Sequence, residues 1–112
     1  MELGFKMPNI GIGCEQLGGH AWGKLNLREV SEAVNLAAVS GLNLFDTSDI
    51  YGLGRSEENL RKSLGSHLAE SIICTKFGIR FEADKTHYDS SIEWLKQSLD
   101  NSLNRLGRDC IE

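Results

Sequence analysis

Three side chains near the middle of the chain could together move a proton. Asp46 ends the apolar run 42–45, and Tyr51 follows in a glycine-containing loop. Lys76 ends a second apolar run, 71–75. Neighbouring parallel strands lie about 4.8 Å apart, so we expect the Asp46 carboxylate and the Lys76 ammonium to form an ion pair. An ammonium beside a phenol favours the ionised form, which makes the phenol a better proton donor at neutral pH.

A proton donor of this kind suits the reduction of a carbonyl group. When hydride adds to a carbonyl carbon, the oxygen must receive a proton, and a tyrosine hydroxyl can supply it as a general acid. The hydride would come from a cofactor, while the protein provides position and electrostatics. The simpler interpretation is that Asp46 and Lys76 are only the first solvated residues after buried strands. Two such residues of opposite sign in successive units weaken that interpretation.

Alternating apolar runs and amphipathic segments would position these residues. The predicted order is strand 9–14, helix 27–40, strand 42–45, helix 57–64, strand 71–75, helix 91–106 and the start of a strand at 110–111. Near-continuous apolar strands that recur at the length of a βαβ unit are typical of a parallel sheet covered by helices. The sequence therefore predicts an α/β fold.

Side-chain patterns also predict where the helices begin and which faces are buried. Asn26 and Ser56 are predicted to be the N-caps of the first two helices, and 90–93 is a capping-box pattern for the third. An apolar stripe along the third helix is predicted to face the core. It consists of Ile92, Leu95, Leu99, Leu103 and Leu106.

Two parallel α/β architectures compete for this pattern. Gly11 and Gly13 form a G-x-G after the first strand, but the third glycine of a dinucleotide-binding fingerprint is absent. In a barrel of parallel strands, the active site lies at the carboxyl ends of the strands. Glu15, Asp46 and Lys76 occupy such positions, so the barrel is the better prediction.

Composition excludes several other classes. The 112 residues carry 12 Lys plus Arg and 16 Asp plus Glu, a net charge of −4, which does not favour nucleic acid or an anionic membrane as partner. No stretch approaches the roughly 20 apolar residues that span a bilayer. Cys14, Cys74 and Cys110 fit neither a disulfide framework nor a metal knuckle. We therefore expect a cytoplasmic protein with mostly buried thiols, Cys74 in the core, and no metal site.

With these motifs in view, the sequence resembles the aldo-keto reductase family. The matching segments are 12–19, 41–47, 51–58, 75–76 and 99–111. The element D-T-x-x-x-Y-G followed by G-R-S-E-E is the most specific of them, and the resemblance covers nearly the whole chain in the same order and spacing. The opening residues 4–8 resemble the hairpin that closes the bottom of that family's barrel.

The resemblance implies a fold and an activity. The fold would be the N-terminal portion of a (β/α)8 TIM barrel, up to about the start of its fourth strand. Residues 1–112 would then be one part of a single barrel domain. The activity would be the reduction of aldehydes or ketones, or the reverse oxidation of alcohols, with NADP(H) as cofactor and NAD(H) as the alternative.

The resemblance also implies roles for individual residues. Tyr51 matches the general acid, and Lys76 and Asp46 match the ion pair that supports it. Asp46 also matches a position near the nicotinamide ribose. Cys14 and Glu15 match the loop that contacts the nicotinamide end of the cofactor. The resemblance implies this contact for the backbone of the loop more than for its side chains.

One catalytic position of the family has no counterpart in the 112 residues. The family places a histidine after its fourth strand, and the histidines here, His20, His67 and His87, lie in other elements. We therefore expect these residues alone to be inactive. Two alternatives to an enzyme remain open: a non-catalytic half-barrel that pairs with a partner or with itself through unpaired strand edges, and a truncated gene product.

Overall fold

The computed structural model describes residues 7–19 and 22–111. Its main sheet has three short parallel strands in the order β1 (Ile12–Gly13), β2 (Leu44–Asp46) and β3 (Ile72–Cys74). The helices are α1 (Leu27–Val39), α2 (Arg55–Leu64) and α3 (Ile92–Leu106), with 3-10 helices at Glu15–Gly18 and Gly65–Glu70. The predicted alternation of parallel strands and helices is confirmed over these elements. The hairpin predicted for the opening residues falls outside the described residues.

The core lies between the sheet and the helices. Phe45 of β2 and Ile73 of β3 are fully buried, and they pack with Leu60 and Leu64 of α2 and Leu106 of α3. Side chains alternate between the two faces of a strand. Because Ile73 faces the helices, its neighbour Cys74 lies on the uncovered face and is exposed, so the prediction of a core Cys74 was wrong.

One of the three predicted helix caps is confirmed as predicted, since the Asn26 side chain accepts a hydrogen bond from Arg28 N. The cap of α3 lies one residue later than the 90–93 pattern predicts, because the Ser91 side chain accepts a hydrogen bond from Trp94 N. The prediction for α2 was wrong, because the helix begins at Arg55 after Gly54, whose φ is +94°. Ser56 therefore lies inside the first turn, where its hydroxyl bonds to groups outside the helix.

A second, antiparallel sheet was not predicted. It is the hairpin of β4 (Ile79–Glu82) and β5 (Lys85–Tyr88), joined by Ala83 and Asp84. Both turn residues have positive φ, 49° and 58°, as a two-residue type I′ turn requires. The hairpin fills the connection between β3 and α3.

The apolar stripe of α3 is exposed over most of its length, contrary to the prediction. Ile92, Leu95 and Leu99 are 65%, 38% and 41% exposed, whereas Leu106 is fully buried. The helix instead buries Ser98 and Ser102 on the side that packs toward α2 and the 49–53 loop. Within the described residues, 110–111 form no strand.

Candidate active site

The parallel register brings two charged side chains together where the strands end. Asp46 is the last residue of β2, and Thr47 N donates to Cys74 O at 2.8 Å, which extends the β2–β3 ladder by one step. Lys76 follows two residues after Cys74, beyond the end of β3. Its Nζ lies 2.8 Å from both carboxylate oxygens of Asp46 and 2.9 Å from Thr47 O. The predicted ion pair is therefore present.

The pair is partly open to solvent. The Lys76 and Asp46 side chains are 46% and 48% exposed. Partial burial lowers the pKa of Lys76, but the hydrogen bond and charge of Asp46, with a smaller contribution from Tyr51, outweigh it, so the pKa lies above its usual 10.5. Lys76 is consequently a fixed positive charge at neutral pH.

Tyr51 lies beside this charge. Lys76 Nζ is 5.2 Å from the centroid of the Tyr51 ring, inside the roughly 6 Å range of cation–π contacts. The ring is half-buried, and its residue lies in the loop between β2 and α2. The structure thus brings together Asp46, Tyr51 and Lys76, the three residues that the sequence predicts to be catalytic.

Two glycines set the position of the Tyr51 loop. A Cβ atom on Gly18 would lie 2.8 Å from Gly52 N and 2.9 Å from Tyr51 C. A Cβ atom on Gly52 would lie 2.7 Å from Gly18 Cα, and the φ of Gly52 is +62°. The two backbones therefore cross at a distance that no side chain permits, and this crossing fixes Tyr51 against the 3-10 helix after β1.

Three buried hydroxyl residues connect the loops of the site with one another and with helix α3. Ser56 Oγ donates to Cys14 O at 2.6 Å and shares a 2.8 Å hydrogen bond with Thr47 Oγ1. Ser98 Oγ of α3 donates to Asp49 Oδ2 at 2.5 Å. Sequence reasoning missed these contacts because each joins residues from different elements.

A buried carboxylate, that of Glu57, is hydrogen-bonded to the residue that precedes Lys76. Glu57 of α2 is 0% exposed, and its Oε2 accepts from Arg105 Nε at 2.6 Å. Its Oε1 accepts from Thr75 Oγ1 at 2.7 Å, and Thr75 directly precedes Lys76. The sequence signal for Glu57 was only its place in the G-R-S-E-E element.

The two loop residues expected near a cofactor have different surroundings. Cys14 is buried, and burial together with the Asp46 charge raises the pKa of its thiol to about 12, so the thiol is neutral. Its N–H donates to Asp46 O at 2.8 Å, so Cys14 builds the loop. Glu15 is half-buried, and its carboxylate accepts from the indole N–H of Trp22 at 3.1 Å.

Across residues 7–19 and 22–111, three or more His, Cys, Asp or Glu side chains nowhere gather in a way that could hold a metal ion. In that same part of the chain, none of the helices has the length and apolar character needed to cross a bilayer.

Known proteins resemble the chain in sequence and in structure. Aldo-keto reductase yakc, an NADP(+) enzyme of Schizosaccharomyces pombe, is 36% identical over 112 residues, which cover 95% of this chain and 32% of that protein. Aldo-keto reductase YhdN of Bacillus subtilis is 27% identical, covering 99% of this chain and 34% of its own length. The chain thus spans about a third of the length of these curated relatives.

The structural comparison gives the same result. The holo form of aldo-keto reductase AKR11C1 from Bacillus halodurans superimposes with a TM-score of 0.78 and 30% identity, over 92% of this chain and 33% of that one. The three parallel strands and their helices are therefore one portion of a (β/α)8 barrel. The family model described as the aldo/keto reductase family matches residues 9–112. By this match, the chain belongs to the aldo/keto reductase family.

Proposed function

We propose that these residues carry the proton-donating part of an oxidoreductase that reduces aldehydes or ketones with a nicotinamide cofactor. The observation that carries the proposal is the placement of Lys76 Nζ, 2.8 Å from both Asp46 oxygens and 5.2 Å from the Tyr51 ring. A phenol beside a permanent positive charge is suited to release a proton. The family and the NADP(+) relative support the same chemistry.

Each residue then has a distinct task. Tyr51 gives its hydroxyl proton to the oxygen of the carbonyl substrate as the carbon is reduced, and the phenolate that forms lies beside the Lys76 ammonium. Asp46 holds that ammonium in place and compensates its charge. In the reverse direction, the phenolate takes the proton of an alcohol.

The residues around the ion pair fit the nicotinamide end of NADP(H), with NAD(H) as the alternative. When bound, this cofactor supplies or accepts the hydride. The Asp46 carboxylate is 48% exposed, so it can accept a hydrogen bond from a ribose hydroxyl while it holds Lys76. Glu15 lies in the loop after β1 and would contribute a second acceptor there. The buried Cys14 thiol would shape this loop through packing.

Activity of a fused protein tests this proposal. Residues 1–112 would be joined to the part of the S. pombe relative that lies beyond the matched region. We expect carbonyl-dependent oxidation of NADPH by the fusion and none by residues 1–112 alone. Tyr51→Phe should abolish the rate of the fusion, whereas Tyr88→Phe, at an 87% exposed position on the hairpin, should leave it unchanged. Equal rates for the two variants would exclude Tyr51 as the proton donor.

A second candidate function is supported by the exposed apolar surface. The α3 stripe exposes Ile92, Leu95 and Leu99, and the outer strands β1 and β3 of the described sheet each have one unpaired edge. Such edges and apolar stripes favour pairing with another chain. We propose that the 112-residue chain, as a non-catalytic module, associates with itself through these surfaces. Sedimentation of residues 1–112 as a compact monomer would exclude this, and Leu99→Lys should weaken any dimer.

A further inference from the structure

We propose that Glu57 is a positioning residue that fixes the end of β3, and with it the Lys76 ammonium, through the hydroxyl of Thr75. This inference rests on the proposed function above, because it gives Glu57 a purpose only if the Lys76 position matters. The roles proposed for Asp46, Tyr51 and Lys76 do not themselves require a carboxylate at position 57.

The burial of Glu57 is the first step. Its side chain is 0% exposed, and a carboxylate leaves water only at a large desolvation penalty. The ion pair with Arg105 compensates the charge, yet apolar residues of similar volume are usually as stabilising as such a pair. An ionic group at this position is therefore better explained by the directions of its hydrogen bonds than by stability.

The hydrogen bonds of the Glu57 carboxylate connect three parts of the fold. Oε2 is held by Arg105 Nε of α3 at 2.6 Å, which sets the plane of the carboxylate. Oε1 then receives the Thr75 hydroxyl at 2.7 Å. The carboxylate thus joins α2, α3 and the residue that follows β3.

The surroundings make room for this network. A Cβ atom on Gly54 would lie 2.7 Å from Arg105 Cδ and 2.8 Å from Arg105 Nε. Glycine tolerates the φ of +94° at this position, and its lack of a side chain leaves room for Arg105 at the start of α2. The start of α2 thus accommodates the Glu57–Arg105 contact.

The consequence for the site follows from the covalent link between Thr75 and Lys76. With Thr75 held, the Lys76 side chain starts from a fixed Cα and reaches Asp46 and the Thr47 carbonyl together. Without that hydrogen bond, the residue after β3 can rotate, and the contacts of Lys76 with Asp46 and Tyr51 loosen. Asp46 and Tyr51 raise the pKa of Lys76 and burial lowers it, so a loosened contact with either group should change that pKa.

The test compares variants of the 112-residue chain in which Thr75 changes by a few atoms. Thr75→Val removes the hydroxyl, Thr75→Ser keeps it, and Ser63→Ala removes a different hydroxyl on α2 that bonds to Asn59 O at 2.7 Å. The pKa of Lys76 is measured from its 13Cε chemical shift, and the dispersion of the amide spectrum confirms folding across the titration. We expect Thr75→Val to move the Lys76 pKa toward 10.5, and Thr75→Ser and Ser63→Ala to leave it raised.

Glu57→Gln provides an independent variant, because it removes the charge but keeps an oxygen that can accept from Thr75. A Lys76 pKa in folded Glu57→Gln that lies between those of the original chain and Thr75→Val supports the proposal. An unchanged Lys76 pKa in folded Thr75→Val overturns the positioning role and leaves the proposed function intact. If the Lys76 pKa of the original chain equals that of folded Asp46→Asn, both proposals are overturned, because Asp46 would then exert no influence on the ammonium.

Discussion

The crossing of Gly18 and Gly52 predicts a large effect for the smallest side-chain addition in the site. Ordinary contacts begin at 3.4 Å, whereas the Cβ atom of Gly18→Ala would lie 2.8 Å from Gly52 N. The two backbones must therefore separate by about 0.6 Å, and overpacking of this kind costs about 1–3 kcal/mol. Because the colliding atoms belong to backbone, a side-chain rotation cannot relieve the contact.

The same displacement should lower the reaction rate. The atoms that move are Tyr51 C and Gly52 N, so the separation carries the phenol with it. A misplacement of about 1 Å can reduce a rate about 100-fold, so a shift of about 0.6 Å should cost about tenfold or more in kcat. The fused protein described above serves as the enzyme, and urea unfolding of residues 1–112 gives the stability.

Gly13→Ala is the matched control. Gly13 lies in β1 close to the same loop, but a Cβ atom there would have nothing within 4 Å. We expect the stability of this control to stay within about 0.5 kcal/mol of the original. If Gly18→Ala matched this control in stability and the unsubstituted fusion in rate, the crossing would not be what positions Tyr51.

Three other perturbations follow from the charges and thiols. Hydrogen bonds from Ser91 and the ion pair with Arg80 lower the pKa of Asp89 from 3.8 to about 2, so its contribution to stability is complete above 3.8 and is lost as the pH falls through 2. The urea midpoints of the original chain and of Asp89→Asn should therefore converge as the pH falls from 3.8 to about 2. A difference in midpoint that stayed constant over this pH range would contradict the prediction. Arg105→Leu leaves the buried Glu57 carboxylate without a counter-charge and should lower the free energy of unfolding by about 3–5 kcal/mol. The double variant Glu57→Met, Arg105→Met should lose less. Equal losses would show that Arg105 does not compensate the charge of Glu57. At pH 8 iodoacetamide should label the exposed Cys74 and spare Cys14, whose thiol is buried and has a pKa of about 12, while urea-unfolded chain should be labelled at both.

Local patterns in the sequence predicted the features whose partners are near in the chain. The cap of α1 was predictable because Asn26 bonds to Arg28 N, two residues away. The corresponding prediction for Ser56 was wrong, because its hydroxyl bonds to Cys14 O, 42 residues away. A residue of a capping type before an acidic helix start looks the same in both cases. Only the tertiary fold distinguishes a cap from a tether between loops.

The errors in the β4–β5 hairpin and in the α3 stripe have different causes. The type I′ turn uses Ala83 and Asp84, without the Asn-Gly or Asp-Gly pair that marks such turns. The spacing of Ile92, Leu95 and Leu99 shows which face of α3 would be buried by a neighbour. It carries no information on whether that neighbour is present, and in the described residues these side chains are exposed.

The Asp46–Lys76 pair was predictable for a reason that does not extend to Tyr51 or Glu57. Lys76 lies two residues beyond Cys74, the register partner of Asp46, so the order of the strands places both side chains at the same end of the sheet. Tyr51 depends on the glycine crossing, and the hold on Thr75 depends on Glu57 in α2 and Arg105 in α3. The site therefore has two separate supports, one for the phenol and one for the ammonium. Gly18→Ala should move the Tyr51 loop and leave the Lys76–Asp46 contact in place, whereas Thr75→Val should loosen that contact and leave the loop in place.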